Sequence, residues 1–311
     1  MKSIFFSLFF LPLLLFSQNN SQKKIYLDSI WKETTEGNHK YYRIIESYDS
    51  SNQLYKIKDY YKTDVLQMEG HSKTIDVSSK EGEFVFYYEN GNKKSILNYT
   101  KNKVIGKNEE WYESGTKKLE AEYFESKNNI FNSYKLYQYW NPEGIQTVKD
   151  GNGYYEEKGD GYFNSGNIKN GFKEGTWKGE YNKKSTYIEE YKKGELVSGI
   201  STDEDNNKYK YKELESRPEP KGGIQNFYQY IGKNFRIPNE LQSIRGKIFT
   251  TFIVEKDGKI VEPKTVQSLL EPLDQEAIRV ITSYPQWVPG KQRGQYVRVL
   301  YSIPITLAGT N

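Results

Sequence analysis

The feature that most constrains this chain is that it repeats itself. Tyr87-Tyr88-Glu89-Asn90-Gly91-Asn92-Lys93-Lys94 returns twenty-four residues later as Trp111-Tyr112-Glu113-Ser114-Gly115-Thr116-Lys117-Lys118. A period of that length marks a stacked supersecondary unit. Looser copies follow at Tyr139-Trp140-Asn141-Pro142-Glu143-Gly144 and Tyr162-Phe163-Asn164-Ser165-Gly166-Asn167. Each copy sets aromatics before Asn-Gly or a relative, then alternates polar and apolar residues up to a tyrosine, as in Ser95-Ile96-Leu97-Asn98-Tyr99 and Leu119-Glu120-Ala121-Glu122-Tyr123. Asn-Gly and Ser-Gly tolerate the positive φ of a two-residue hairpin turn, so the unit reads strand, tight turn, strand. One hairpin cannot bury its own aromatic face, and the units are therefore expected to stack into an elongated antiparallel sheet over residues 18–200.

Composition supports a folded chain built on aromatic rings. The apolar fraction is 35% and mean hydropathy −0.87, values that approach disorder. The 28 Tyr, 15 Phe and 5 Trp argue against it, because each ring buries a large area. The 45 basic and 41 acidic residues intermix to a net charge of +4, which points to no nucleic-acid or anionic-membrane surface. Cysteine is absent, so neither disulfides nor thiolate chemistry enters.

Motifs for catalysis or cofactor binding are not found. The histidines are His39 and His71, both in polar surroundings. Carboxylate pairs such as Glu109-Glu110, Glu156-Glu157 and Glu189-Glu190 fall inside the repeats, where a solvated strand or loop explains them. Gly151-Asn152-Gly153 lacks the following helix that would aim N–H groups at a phosphate. The reading is a non-enzyme with no cofactor, no metal and no small-molecule substrate indicated.

At the start, Met1-Lys2, the apolar run 4–16 and Ser17 read as a secretory signal peptide over residues 1–17. The run is too short for a bilayer core about 30 Å thick at about 1.5 Å rise per residue. An exported protein of the periplasm or cell envelope is expected. Residues 201–221 lose the period, mix acidic residues with lysines and end Arg217-Pro218-Glu219-Pro220; they read as a charged linker with a short strand around 209–214.

From residue 222 to 309 the text turns to a small α+β pattern. Ile224, Phe227, Tyr228 and Ile231 recur at helical spacing. The β-branched and aromatic run 247–254 reads as a strand, Lys256-Asp257-Gly258-Lys259 as its turn, and 260–269 as the return strand. Leu273, Ala277, Val280, Ile281 and Tyr284 mark a second helix opened by Pro272 and ended by Pro285. A last strand is expected over 296–306. The fold class is thus a mainly β module of stacked antiparallel hairpins followed by two helices on a three-stranded antiparallel sheet. Pro263 suits an edge, and the proline-free strand 247–254 suits the centre. That order leaves Tyr296, Val297, Arg298, Val299, Leu300 and Tyr301 on an open edge, the expected partner-binding row.

The last third resembles the C-terminal domain of TonB, the protein that transmits energy to outer-membrane transporters. The resemblance rests on Pro238, Gly246, Asp257 with Gly258, Leu273 and Ala277, and Trp287 followed by Pro289-Gly290, in that order. It implies that the domain binds an extended segment of an outer-membrane transporter of the TonB-dependent kind by strand addition. Pro263 and Thr265 depart from the family, which places apolar strand residues there. The chain also has neither the inner-membrane helix nor the long proline-rich spacer of a standard TonB, which argues against direct coupling to an inner-membrane motor. The repeats are similar to the MORN-type repeats of YwqK-like proteins, clearly over 82–123 and more weakly after. The alternative function is a structural envelope protein whose repeats bind another protein or the cell wall, with the TonB-like domain as a peptide clip or dimerisation unit.

Overall fold

The computed structural model describes residues 23–125 and 133–309, so the expected signal peptide lies outside the described residues. Sixteen antiparallel strands follow one another in chain order as one sheet. The first eight are β1 (Lys23–Leu27), β2 (Tyr41–Asp49), β3 (Leu54–Tyr61), β4 (Leu66–Ser72), β5 (Lys80–Tyr87), β6 (Lys93–Thr100), β7 (Lys103–Trp111) and β8 (Lys117–Phe124). The next eight are β9 (Ser133–Trp140), β10 (Gln146–Lys149), β11 (Asn152–Gly159), β12 (Tyr162–Lys169), β13 (Phe172–Tyr181), β14 (Ser185–Lys192), β15 (Glu195–Thr202) and β16 (Lys208–Tyr211). Two compact units divide at β9.

In the first unit, Ile57, Met68, Val77 and Phe84 form a small core edged by Ile45, Tyr55, Phe86 and Tyr99. Beside it Arg43 donates from Nε and Nη2 to the two oxygens of Asp59, both at 2.7 Å, a buried bidentate pair. The turns of the two clearest repeats bond to each other: the Tyr88 hydroxyl donates to the Trp111 carbonyl at 2.9 Å, and the Asn90 and Asn92 amides donate to the Glu113 carbonyl. These bonds tie the turn of one repeat to the turn region of the next.

In the second unit a row of rings crosses the sheet from strand to strand. Ring centroids are 4.4 Å apart for Tyr139 and Tyr155, 5.8 Å for Tyr155 and Trp177, and 6.3 Å for Trp177 and Tyr191. All four side chains are buried. The room for such rings comes from glycine. Gly166 lies against Trp177, Gly179 against Tyr187, Gly199 against Tyr211, and in the first unit Gly70 against Phe84; a Cβ at any of them would overlap the ring. Gly179 faces Tyr187 and Gly199 faces Tyr211 as direct cross-strand partners.

The rest of the second unit holds β17 (Glu215–Ser216), β18 (Glu219–Pro220), α1 (Ile224–Asn234), β19 (Gly246–Val254), β20 (Ile260–Gln267), α2 (Glu271–Thr282), β21 (Trp287–Val288), β22 (Gly290–Gln292), β23 (Gln295–Val297) and β24 (Val299–Leu307). Phe227 and Ile231 of α1 and Leu273, Ala277, Val280 and Ile281 of α2 close over Ile248, Phe252, Val254, Ile303, Ile305 and Leu307 of the sheet, with Trp287 among them. The sheet order is β20-β19-β24, with the proline-free strand at the centre as the sequence leads one to expect.

Two segments differ from expectation. In residues 201–221 the short strand expected around 209–214 is present as β16, which extends the long sheet, but the remainder does not run unpaired: β17 pairs with β22 and β18 pairs with β21. Their backbone groups are taken up locally, which side-chain polarity does not reveal. The expected strand 296–306 is broken at Arg298, because Gln295, Tyr296 and Val297 pair with β22 while β24 pairs with β19.

Burial also decides which repeat aromatics matter most. Trp177 is 1% exposed and Trp111 is only partly buried, with the Lys117 ammonium 4.5 Å from its ring. Trp177→Ala is expected to cost about 3–5 kcal/mol in chemical denaturation and Trp111→Ala less than half as much. Equal losses at the two sites would contradict this account of the sheet.

Candidate partner-binding edge

Backbone direction settles which groups of β24 are free. The Glu255 N–H donates to the Lys259 carbonyl at 2.8 Å, so odd-numbered residues at this end of β19 face β20. Alternate residues of an antiparallel strand bond to opposite neighbours, and Ile248, Thr250, Phe252 and Val254 therefore face β24. Their partners in register are Ile305, Ile303, Tyr301 and Val299. The N–H groups of Leu300, Ser302 and Thr306 consequently point away from the sheet. Pro304 lies on the same outward row and has no donor.

The other edge is less regular. Both register shifts between β19 and β20 fall where β20 carries an extra residue, and Glu262 there holds φ +52. Such bulges twist a strand away from further pairing. β24 keeps nine consecutive pairs without a shift.

The six residues expected on the open edge separate into three environments. Tyr296 and Val297 belong to β23, where they pair with Lys291 and Gly290; Tyr296 is half-exposed, with the Lys291 ammonium 4.8 Å from its ring. Arg298 stands at the break, where its Nε donates to Glu255 at 2.6 Å and its Nη2 to Glu262, so its charge is engaged across the sheet surface. Val299, Leu300 and Tyr301 lie on β24. Leu300 is 67% exposed on the face away from the helices, and Tyr301 reaches into the core, 5.0 Å from Trp287 and 5.7 Å from Phe252.

The motif residues shape the surroundings of the edge. Pro238 precedes a single helical turn, Gly246 opens β19, and Leu273 and Ala277 are fully buried. Asp257 and Gly258 form the β19–β20 turn, where Gly258 at φ +82 lies so close to the Trp287 carbonyl that a Cβ would overlap it. Gly290, just after Pro289, approaches the Val299 side chain and the Ser216 carbonyl.

An unanticipated cluster lies at the turn between β22 and β23. Arg293 and Gly294 hold φ +47 and +80, the two positive values of a tight hairpin turn. The turn inserts Arg293 among the last strands of the repeat sheet. Arg293 Nε donates to Glu189 at 2.8 Å, and Glu189 is fully buried. Glu189 also accepts from the Tyr211 and Tyr191 hydroxyls, at 2.7 and 3.0 Å. The guanidinium lies 4.0 Å from the Tyr187 ring centre, and the Ser201 hydroxyl donates to the Arg293 carbonyl at 2.7 Å. Burial opposes the Arg293 charge, but Glu189 more than offsets it and the pKa rises. Burial, then Glu189, raises both Tyr191 and Tyr211.

Lys173 extends this cluster, its ammonium 4.1 Å from the Trp177 ring centre and 4.8 Å from that of Tyr191. Burial pushes its pKa down to about 8, Glu189 opposing and Arg293 adding to the effect. The sequence carries one signal for this site. Ser185, Tyr187, Glu189 and Tyr191 alternate onto one face, and Glu189 breaks an otherwise uncharged row.

Residues 240–306 match the profile of the Gram-negative bacterial TonB protein C-terminal family. No curated protein matches the chain. This part of the chain is therefore similar to an envelope-associated, non-enzymatic protein-interaction domain. Among the described residues, no helix is long and apolar enough to cross a membrane and no group of carboxylates and imidazoles is arranged to hold a metal ion.

Arg293→Met is expected to cost about 3–5 kcal/mol, because it strands a buried carboxylate, and adding Glu189→Gln should recover part of that loss. Denaturant titration of the two variants checks it. Lys173 gives a second expectation. Its folded pKa is about 8, below the unfolded value of 10.5, so the unfolded chain holds the extra proton between those values and stability rises with pH across that window. Tyr187, raised to about 12, has the opposite sign and lowers stability above pH 10. Between pH 8 and about 9.5 the unfolding midpoint should climb in wild type and stay flatter in Lys173→Met.

Proposed function

From the TonB C-terminal match over residues 240–306, we propose that this chain is a periplasmic binding protein of the energy-transducer type. Its C-terminal domain takes an extended segment of an outer-membrane transporter of the TonB-dependent kind as a fourth strand beside β24. The observation that carries this reading is the unpaired row of β24, regular over nine residue pairs and bearing outward donors at Leu300 and Ser302, whereas β20 is bulged. Main-chain hydrogen bonds supply affinity in such strand addition, and alternate side chains supply choice.

The second reading is a structural envelope protein whose MORN-type, YwqK-like repeats bind another protein or the cell wall. It is favoured by the extent of the sixteen-stranded sheet and by the Arg293 turn, which ties the C-terminal domain to the end of that sheet. In this reading the open edge serves as a peptide clip.

Donor removal discriminates. Ser302→Pro deletes an outward N–H and should lower capture of detergent-solubilised transporters by about tenfold or more, whereas Ser302→Thr keeps the donor and should bind like wild type. Val299 faces β19, so Val299→Pro is expected to unfold the sheet rather than report on binding. A Ser302→Pro protein with wild-type circular dichroism and wild-type capture would refute strand addition at β24.

A further inference from the structure

In the first unit the connection between β4 and β5 departs from the pattern of the repeats. The connections that follow β6, β10, β12 and β14 are two residues long, whereas residues 73–79 make seven. The longer segment turns back onto the sheet and seats Val77, 5% exposed, in the core cluster with Ile57, Met68 and Phe84. Val77 does so at φ +62, and it is the one β-branched residue with positive φ among the described residues. A β-branched side chain in that region is strained and persists only where its surroundings enforce it.

Two cations supply that enforcement. Arg43 and Asp59 are direct cross-strand partners, and their bidentate pairing leaves Arg43 Nη1 to donate to the Ile75 carbonyl at 3.0 Å. Lys80 Nζ donates to the Val77 carbonyl at 3.2 Å. Within the segment the bonds are local. Ser78 donates to Asp76 from its N–H and its hydroxyl, Thr74 Oγ1 meets Ser78 Oγ at 3.1 Å, and at the base the Lys73 N–H donates to the Ser79 carbonyl at 2.9 Å. A segment bonded largely to itself keeps its shape when it moves. What fastens its tip to the sheet is the Val77 side chain and the two cations, with backbone strain acting against them.

We propose that residues 73–79 form a strap that opens as a unit while the sheet stays folded, Val77 withdrawing as its plug and Arg43 and Lys80 serving as its catch, to bare an apolar cradle at Ile57, Met68 and Phe84. The inference goes beyond both functional readings and rests on neither. Local openings of this kind cost less than global unfolding, and the segment that carries strain is the one placed to open first.

The chain has no cysteine and Met68 is 3% exposed, so Met68→Cys puts a single thiol beneath the strap. Its alkylation by N-ethylmaleimide is followed in the full chain by mass spectrometry. The thiol is expected to react about a hundredfold or more slower than a capped cysteine peptide, at a rate that stays flat in urea well below the unfolding midpoint. Adding Arg43→Lys should speed the reaction about tenfold or more, the effect of losing one charge-assisted hydrogen bond. Lys80→Met leaves the Arg43–Asp59 pair in place and carries the same expectation, so the catch is tested even where Arg43→Lys does not fold. Replacing residues 73–79 by Asn-Gly, the length of the other turns, should bring the rate to within about threefold of the peptide. A rate that climbs with urea in step with global unfolding overturns independent opening. Slow reaction in a folded protein with the short turn overturns the strap as the cover, and a rate unmoved in a folded cation variant overturns the catch.

Discussion

A carboxylate removed from water must be neutralised where it sits, and Glu189 is the residue on which the second compact unit depends. It is fully buried and receives Arg293, Tyr191 and Tyr211 at once. Two of these donors, Arg293 and Tyr211, come from other parts of the chain and leave little freedom in how those parts meet β14, while Tyr191 lies on β14 itself. The β22–β23 turn must present a guanidinium at one point, β16 must send the Tyr211 ring across Gly199 of β15 to reach β14, and the Tyr187 ring must lie under the cation. Buried ion pairs of this kind are costly to half-remove and contribute geometric definition more reliably than net stability. Here the definition is of how the α+β elements join the last hairpins.

The same sheet solves a second problem by different means. A hairpin stack has little depth in which to hide large rings, and the repeats answer it by pairing ring with glycine across strands. Where Gly179 faces Tyr187 or Gly199 faces Tyr211, the ring lies on the backbone of the neighbouring strand. Glycine in this sheet is thus needed for close approach at some positions and for positive φ at others, and the repeat unit contains both uses.

How far the sequence reveals all this follows from which forces act locally. Hairpins around Asn90-Gly91 and Ser114-Gly115 were legible because turn chemistry and alternation are local. Each nevertheless closes by a longer turn than the expected two-residue one, with positive φ at the glycine and not at Asn90 or Ser114. The central place of β19 followed from Pro263 in its neighbour and from its own lack of proline. The break at Arg298 was not legible: the run 295–303 carries no proline or glycine, and it divides only because the Arg293-Gly294 turn folds β23 back onto β22. The pairings of 215–216 and 219–220 were hidden for a related reason. They use backbone groups of Glu215, Ser216, Glu219 and Pro220, whose side chains say nothing of where the main chain bonds. Glu189, read from the sequence as one of a solvated carboxylate pair, is instead fully buried, and its partner lies 104 residues away, beyond any local pattern.

The pairing of 215–216 with β22 and of 219–220 with β21 has a mechanical consequence. A polymer tether of some twenty residues takes up slack before it transmits force, and its stiffness near rest is entropic and low. This segment has its contour already consumed by ladder bonds and by the seating of Arg293. A pull along an added strand would load β24 against β19 in shear across nine residue pairs together, and displacement would pass onward without an initial stretch. Extension under small tension should therefore be nearly elastic, with compliance set by hydrogen-bond ladders and not by chain entropy.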